Sequence, residues 1–309
     1  MNLKKLSKLA IVIGLATTLA ACGASKDGAN NKSANTSTEG NKTETTETAS
    51  ADLSKINVIS REAGSGTRGA FTEITGVLEK KDGQEVDNTT EEAAVQNSTD
   101  AVITTVSNDP ASIGYISLGS LNDTVKALKV EGVEATPENV KSGDYKIARP
   151  FNICYQEGAD EKALDLLKFI ESDEGQKIVE AEKYIPEAKG MTYTAIDNDA
   201  HITIAGSTSV TPLMEKLVEA YKKLNPKFDA DIQATGSSAG IQSAIDGTAQ
   251  IGMASRELKD EEAPKVKVDV IARDGIAVIV NKENPAEDVS LASLKDIFTG
   301  SMTEWSEVK

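Results

Sequence analysis

Three short loops rich in glycine, serine and threonine constrain the fold of this 309-residue chain more than any other feature. Each loop follows a short apolar run and precedes a stretch in which apolar residues recur at helical spacing. The loops occupy residues 60–68, 206–210 and 236–240. Repeated strand–loop–helix units are typical of an α/β protein with largely parallel sheets, whose ligands bind at the carboxyl ends of the strands. We therefore predict an α/β fold with a binding site at these loops.

The composition of the loops indicates an anion site. The first N–H groups of a helix have no partner within the helix and carry partial positive charge, and glycine lets the backbone approach a ligand closely. Serine and threonine hydroxyls add neutral donors, and Arg61 adds a fork of donors suited to a tetrahedral oxyanion. Taken singly, such a loop is more often an ordinary capped helix start. Three of them in one chain, one with an arginine, favour an anion site.

The overall charge excludes one large class of ligand. The chain has 33 basic and 49 acidic side chains and a formal net charge of −16. Nucleic acid requires a basic surface, so we do not expect it as a partner. A small anion is still compatible with an acidic protein, because ordered donors act locally and the remaining charges are screened over about 10 Å.

The sequence does not favour an enzyme. Ser65 or Ser209 as a nucleophile would need a neighbouring base, and the single histidine, His201, stands just before a predicted strand and away from the loops in sequence. No lysine follows the glycines in the manner of a nucleotide-binding P-loop. One histidine and two cysteines cannot form a Cys/His metal cluster. We predict no catalysis, no cofactor and no metal.

The amino terminus has the pattern of an export signal. Three lysines in the first eight residues precede an uncharged run over 9–21, which is too short to span a bilayer. The string Leu19-Ala20-Ala21-Cys22 resembles a bacterial lipobox. We predict a signal peptide over 1–21, lipidation of Cys22 and a location on the extracytoplasmic face of the cell membrane. The alternative is an ordinary signal peptide in which Cys22 has no role.

A polar tether follows the predicted anchor. Residues 23–51 contain no large apolar side chain, so the segment 22–52 is expected to remain disordered, with ordered structure beginning near Leu53. The other cysteine, Cys154, lies in an apolar stretch and has no disulfide partner if Cys22 is lipidated. It is expected to be a buried free thiol.

With their flanking residues, the loops resemble the phosphate-binding proteins of ABC phosphate importers. The resemblance covers nearly everything after the tether. Its most specific strings are INVISREAGSGTRGAF (56–71), ITIAGSTSVTPLMEKLVEAY (202–221), GSSAGIQSAIDGTAQIGMASRELKDEE (236–262) and IFTGSMTEWSEV (297–308). It implies a two-lobed periplasmic-binding-protein-like fold of type II, with the ligand in the cleft between two α/β lobes.

The order of these segments differs from that of the family. The family begins with the GSTS half and continues from IFTG…W into the SRE…GSGT string, which here stands near the start of the chain. The sequence therefore resembles a circular permutation, with the old termini joined across 186–200. This order predicts a split lobe of 53–148 plus 282–309 and a contiguous lobe of 149–281. A truncated tandem or a misassembled gene is the alternative.

The resemblance also implies which residues bind phosphate, position by position. The implied residues, drawn from all three loops, are Thr208, Ser209, Ser237, Arg61, Ser65, Gly66 and Thr67.

One position departs from the family pattern. Arg256 stands where the best-described members have an aspartate that accepts the proton of phosphate and repels sulfate. Glu62 or Glu257 are the acids that would replace it. Arg256 itself is either a further phosphate ligand or a surface residue paired with Glu257 or Asp260.

The function implied by the resemblance is reversible capture of inorganic phosphate by a monomer. Delivery to an ABC importer permease with its cytoplasmic ATPase would follow. Two alternatives are a binding protein for another tetrahedral oxyanion, such as sulfate, molybdate or a phosphonate, and a surface sensor or adhesion module without a transporter.

Overall fold

The computed structural model describes residues 54–81, 84–187 and 189–308. The predicted signal peptide, the lipidation at Cys22 and the tether lie outside the described residues. Within the described ranges, no helix combines the length and the apolar composition needed to cross a membrane.

Fourteen strands make up the sheets of the described chain. They are β1 (Asn57–Arg61), β2 (Leu78–Lys81), β3 (Gln84–Asp87), β4 (Ala94–Gln96), β5 (Ser112–Ser117), β6 (Val125–Ala127), β7 (Lys129–Val130), β8 (Ala148–Tyr155), β9 (Ile185–Pro186), β10 (His201–Gly206), β11 (Asp229–Ala234), β12 (Ile251–Ala254), β13 (Lys267–Asn281) and β14 (Asp288–Val289).

Eight α-helices alternate with these strands. They are α1 (Gly66–Thr75), α2 (Thr99–Ser107), α3 (Pro137–Ser142), α4 (Glu161–Ile170), α5 (Asp173–Ala181), α6 (Thr211–Leu224), α7 (Ser237–Ile245) and α8 (Leu291–Thr299). A serine hydroxyl caps the amino terminus of both α1 and α2, from Ser65 and Ser98 respectively. Such caps satisfy N–H groups that the first turn leaves without partners.

The main sheet is mixed. Its strand order is β11-β10-β12-β8-β13-β5-β1-β4, and β6 and β9 also pair with β13. The strands β10, β11 and β12 are mutually parallel at one end, and β1, β4 and β5 are parallel at the other. Between these groups, β8 and β13 run antiparallel to their neighbours. The prediction of an α/β protein with largely parallel outer strands is confirmed.

Two large hydrophobic cores divide the described chain into the two lobes. The first core includes Phe71, Tyr115 and Phe298, and the second includes Phe151, Phe169 and Tyr221. The long strand β13 belongs to both, since Ile271 and Ala272 pack in the second core whereas residues 276–280 pack in the first. Strand β13 therefore passes from the second core to the first near residue 275, before the predicted lobe boundary at 281/282. We keep the names split lobe and contiguous lobe for the parts around the first and second cores.

The first helix is shorter than the sequence pattern predicts. The apolar spacing indicates a helix over 67–78, but α1 ends at Thr75. Gly76 follows with φ +74°, a left-handed conformation that glycine adopts at little cost, and its N–H bonds to the carbonyl of Glu73. Val77 is nevertheless buried in the first core, and Leu78 begins β2.

Candidate functional site

The three predicted loops meet at the boundary between the lobes. The first loop joins β1 to α1 in the split lobe, and the others join β10 to α6 and β11 to α7 in the contiguous lobe. Each stands at the carboxyl end of a parallel strand, which is where α/β sheets bind ligands. Backbone contact also crosses between the lobes, because Ser238 N donates to Gly64 O at 3.1 Å.

Arg61 lies at the centre of the cluster and is only 1% exposed. Its Nε donates to Glu62 Oε2 and its Nη2 to Glu62 Oε1, both at 2.8 Å. Nη2 also donates to Thr208 Oγ1 across the lobe boundary at 3.0 Å. The remaining nitrogen, Nη1, is buried without a hydrogen-bond partner. One edge of the guanidinium is thus held by Glu62, which leaves a buried donor for another acceptor.

Threonine and serine hydroxyls from both lobes surround Thr208. Thr67 Oγ1 and Ser209 Oγ are 2.9 Å apart and join the first loop to the second. Thr99 Oγ1, from the start of α2, lies 3.3 Å from Ser209 Oγ and 3.5 Å from Thr208 Oγ1. Thr67, Thr99 and Ser209 are buried, whereas Thr208 is half-buried. A compact group of small neutral donors therefore lies beside the Arg61 guanidinium.

Ser237, the first residue of α7, brings the third loop into contact with the first. A Cβ added at Gly66 would overlap Ser237 Oγ and would lie 2.7 Å from Ser255 Oγ. Only glycine allows the two loops to approach this closely. Ser237 Oγ accepts a hydrogen bond from Ser255 N at 3.1 Å, and Ser207 Oγ donates to Ser255 Oγ at 2.9 Å.

The remaining predicted residue, Ser65, has a capping role. Its Oγ accepts a hydrogen bond from Arg68 N at 3.3 Å, which leaves its hydroxyl proton free to donate elsewhere. The structure therefore brings all seven implied residues to one region: Arg61, Ser65, Gly66, Thr67, Thr208, Ser209 and Ser237.

Arg256 is held by an ion pair. Its Nη1 and Nη2 donate to the two carboxylate oxygens of Glu262 at 2.7 and 2.8 Å. Further bonds go to Glu257 O and, at 3.2 Å, to Ser238 Oγ. The predicted pairing with Glu257 or Asp260 is therefore wrong, because the partner carboxylate is that of Glu262. Burial, the largest single effect, raises the pKa of Glu262. The hydrogen bonds from Arg256 and from the Lys259 N–H, together with the positive charges of both residues, outweigh burial and hold that pKa below its ordinary value.

A cavity of about 800 Å³ borders the site on the side of Arg256. It lies between α1 with the β2–β3 hairpin and the segment 256–261, and Ser65 and Ser238 line its inner end. Lys259 Nζ and Glu85 Oε2 face each other across it at 3.6 Å. The donor cluster therefore adjoins a space large enough for a small solute.

The single histidine lies away from the serines of this site. His201 begins β10 and pairs with Asp229, 3.3 Å away, whereas Ser207 and Ser209 follow the other end of that strand. At about 3.3 Å per residue, the length of β10 alone separates them by roughly 16 Å. Cys154 is buried, and burial raises the pKa of its thiol to about 12, so it stays protonated and unreactive near neutral pH.

Three residues of the cluster were not predicted from the sequence: Thr99, Ser207 and Ser255. Ser207 lies within the second predicted loop, directly before Thr208, and Ser255 directly precedes Arg256, so each neighbours a residue that the sequence had singled out. Thr99 follows a three-residue strand, β4, and its loop has no glycine. Its one signal was the pair Ser98-Thr99 at a helix start, which is typical of many ordinary caps.

Comparisons with known proteins agree with this architecture. Residues 34–174 and 192–309 match the PBP superfamily domain. The chain is 53% identical over 264 residues to the phosphate-binding protein PstS 2 of Streptococcus agalactiae, covering 84% of this chain and 90% of that protein. It is 50% identical over 256 residues to PstS 2 of Streptococcus pneumoniae, covering 82% and 88%.

A solved structure extends the similarity to the fold. The crystal structure of a phosphate-binding protein of a phosphate ABC transporter from Streptococcus pneumoniae is 49% identical, with a TM-score of 0.67. The match covers 82% of this chain and 100% of that one. The chain therefore belongs to the PBP superfamily and, within it, to the PstS-type phosphate-binding proteins of ABC phosphate transporters.

Proposed function

We propose that this protein captures inorganic phosphate between its two lobes and delivers it to the permease of an ABC importer. The observation that carries the proposal is the buried guanidinium of Arg61, whose Nη1 has no partner beside hydroxyls from both lobes. A tetrahedral oxyanion supplies the acceptors that such a group of donors needs. The relatives named for phosphate binding support the choice of phosphate among oxyanions.

The lobes would hold the ligand jointly. Arg61 and Thr67 belong to the split lobe, whereas Thr208, Ser209 and Ser237 belong to the contiguous lobe. An anion between them gains its full set of hydrogen bonds only when the lobes are close, so binding favours the closed arrangement. A permease that recognises this arrangement would distinguish loaded from empty protein.

The wider setting is part of the same proposal. Lipidation of Cys22 would anchor a monomer to the extracytoplasmic face of the cell membrane, where it would meet the permease and its cytoplasmic ATPase. No catalytic step is required. Fractionation of cells that express Cys22→Ala tests the anchor, because the variant should leave the membrane fraction. A variant that stays there would contradict lipidation at this residue.

Calorimetric titration of the purified protein with phosphate tests the binding function. We expect saturable binding at one site per chain, with sulfate, molybdate and a phosphonate as competitors in parallel titrations. If one of these anions bound more strongly than phosphate, that anion would be identified as the ligand instead. The absence of binding for all of them would refute capture of an oxyanion.

A further inference from the structure

The loop between β4 and α2 lies beside the three loops of the site. The strand before it, β4, is parallel to β1, with Ile59 opposite Ala94 and Arg61 opposite Gln96. Parallel neighbours end at the same edge of the sheet. The loop after β4 therefore opens beside Arg61, and Glu62 N donates to Gln96 O at 3.1 Å. The topology thus places Thr99 next to the ligand loops although 30 residues of sequence lie between Arg68 and that threonine.

The hydroxyl of Thr99 differs from those of four other helical threonines in this protein. These four donate to the carbonyl four residues earlier, at 2.7–2.8 Å: Thr72, Thr75, Thr105 and Thr299. Thr99 is the first residue of α2, so no helical carbonyl lies four residues before it. Its hydroxyl contacts those of Thr208 and Ser209 instead, and the residue is only 4% exposed.

Two independent features therefore indicate a ligand at this hydroxyl. Thr99 Oγ1 contacts two residues implied in phosphate binding, each from the opposite lobe. The same Thr208 hydroxyl accepts from Arg61, whose buried Nη1 has no partner. Hydroxyl groups that only contact one another are each able to turn their proton toward a stronger acceptor, such as an oxyanion.

We propose that Thr99 Oγ1 donates a hydrogen bond directly to the bound oxyanion, which makes α2 the fourth helix whose amino terminus faces the site. This inference rests on the proposed function. Thr99 adds a neutral donor, so it strengthens binding without adding charge to a site in which Arg61 is already paired with Glu62. It also gives the split lobe a further hydroxyl, beside those of Ser65 and Thr67.

Titration of Thr99→Val with phosphate tests the proposal. Valine retains the shape of threonine and removes the hydroxyl, so the affinity should fall about tenfold or more. Thr99→Ser should recover most of the loss. Thr105→Val is the matched control, because that hydroxyl bonds to Ala101 O within the same helix, and it should bind phosphate like the parent protein.

A double-mutant cycle separates a direct ligand from a residue that merely orients Ser209. If Thr99 contacts the anion, Thr99→Val should weaken binding by a similar factor in the parent protein and in Ser209→Ala. If Thr99 acts only through Ser209, Thr99→Val should have no effect on binding in the Ser209→Ala protein. That outcome would overturn the proposal. So would parent-like affinity of Thr99→Val. If the parent protein itself fails to bind phosphate, it is the proposed function that fails.

Discussion

Arg61 combines two tasks in one side chain. Its bidentate pair with Glu62 fixes the guanidinium and compensates its charge, while Nη2 also donates to Thr208 Oγ1 and Nη1 is buried without a hydrogen-bond partner. A planar fork can hold a carboxylate on one edge and an oxyanion on another, which a lysine ammonium cannot do with the same geometry. Anion binding here depends on directed donors more than on net charge.

Replacement of Arg61 by alanine should therefore weaken phosphate binding by about 3 kcal/mol or more, or at least 100-fold, since charged hydrogen bonds are lost. The change also leaves the Glu62 carboxylate uncompensated beside the anion. Adding Glu62→Gln to Arg61→Ala should then recover part of the affinity. Titration calorimetry of the three proteins measures both effects, and parent-like affinity of Arg61→Ala would remove Arg61 from the site.

Gly66 lies at a point of close approach between the two lobes. Alanine at this position would overlap Ser237 Oγ and press on Ser255 Oγ, both from the contiguous lobe. Each lobe can fold with this methyl group, but in the close arrangement the two hydroxyls must turn away or the lobes must separate. We expect Gly66→Ala to lose at least tenfold in phosphate affinity with little change in unfolding temperature.

Gly64→Ala is the size-matched control for Gly66→Ala. A Cβ at Gly64 would meet its nearest neighbour, Ser238 Cβ, at 3.8 Å, an ordinary van der Waals contact. This variant should bind phosphate within a few-fold of the parent protein. Equal affinities for the two alanine variants would mean that the contact between Gly66 and Ser237 does not matter for binding.

At the scale of elements, sequence patterns predicted most of the framework but only part of the site. Strand–loop–helix units with apolar spacing identified the loops, because period and turn chemistry are local properties. Thr99 was missed because its place beside Arg61 depends on the pairing of β4 with β1, a contact set by tertiary structure. Similarly, four acids stand within six residues of Arg256, and only the folded segment selects Glu262 among them.

The ion pair between Arg256 and Glu262 should make the unfolding free energy decrease as the pH falls. Because the folded state holds the pKa of Glu262 below its ordinary value of 4.5, ionised Glu262 stabilises the fold above about that pH. This contribution is lost as the pH falls through the lowered pKa. The unfolding free energy of the parent protein should therefore exceed that of Glu262→Gln near neutral pH. The difference should shrink below pH 4.5, measured by denaturant titration.

Independence of that difference from pH would mean that Glu262 acts through packing and not through its charge. Glu261→Gln offers a control, since the neighbouring Glu261 forms no ion pair that the structure records within the described residues. It should leave the pH profile of stability close to that of the parent protein.

At the scale of the whole molecule, the paired strands β8 and β13 connect the lobes, and a buried ion pair links them. Arg149 and Asp274 lie opposite each other in the antiparallel ladder, and Arg149 Nη2 donates to Asp274 Oδ2 at 3.0 Å. Both side chains are 1% exposed. Burial raises the pKa of Asp274, and Arg149 opposes that rise by favouring the ionised carboxylate. Several of their remaining polar atoms have no hydrogen-bond partner.

Removing one partner of a buried ion pair strongly destabilises a protein, whereas replacing both partners by apolar residues need not. Asp274→Asn leaves the Arg149 charge buried without a counterion and should destabilise the protein by about 3–5 kcal/mol. The double variant Arg149→Met with Asp274→Leu removes both charges and should be close to the parent protein in stability. Denaturant unfolding of the three proteins distinguishes these cases. A double variant as unstable as Asp274→Asn would show that the strand crossing depends on the ion pair itself, beyond the need to compensate a buried charge.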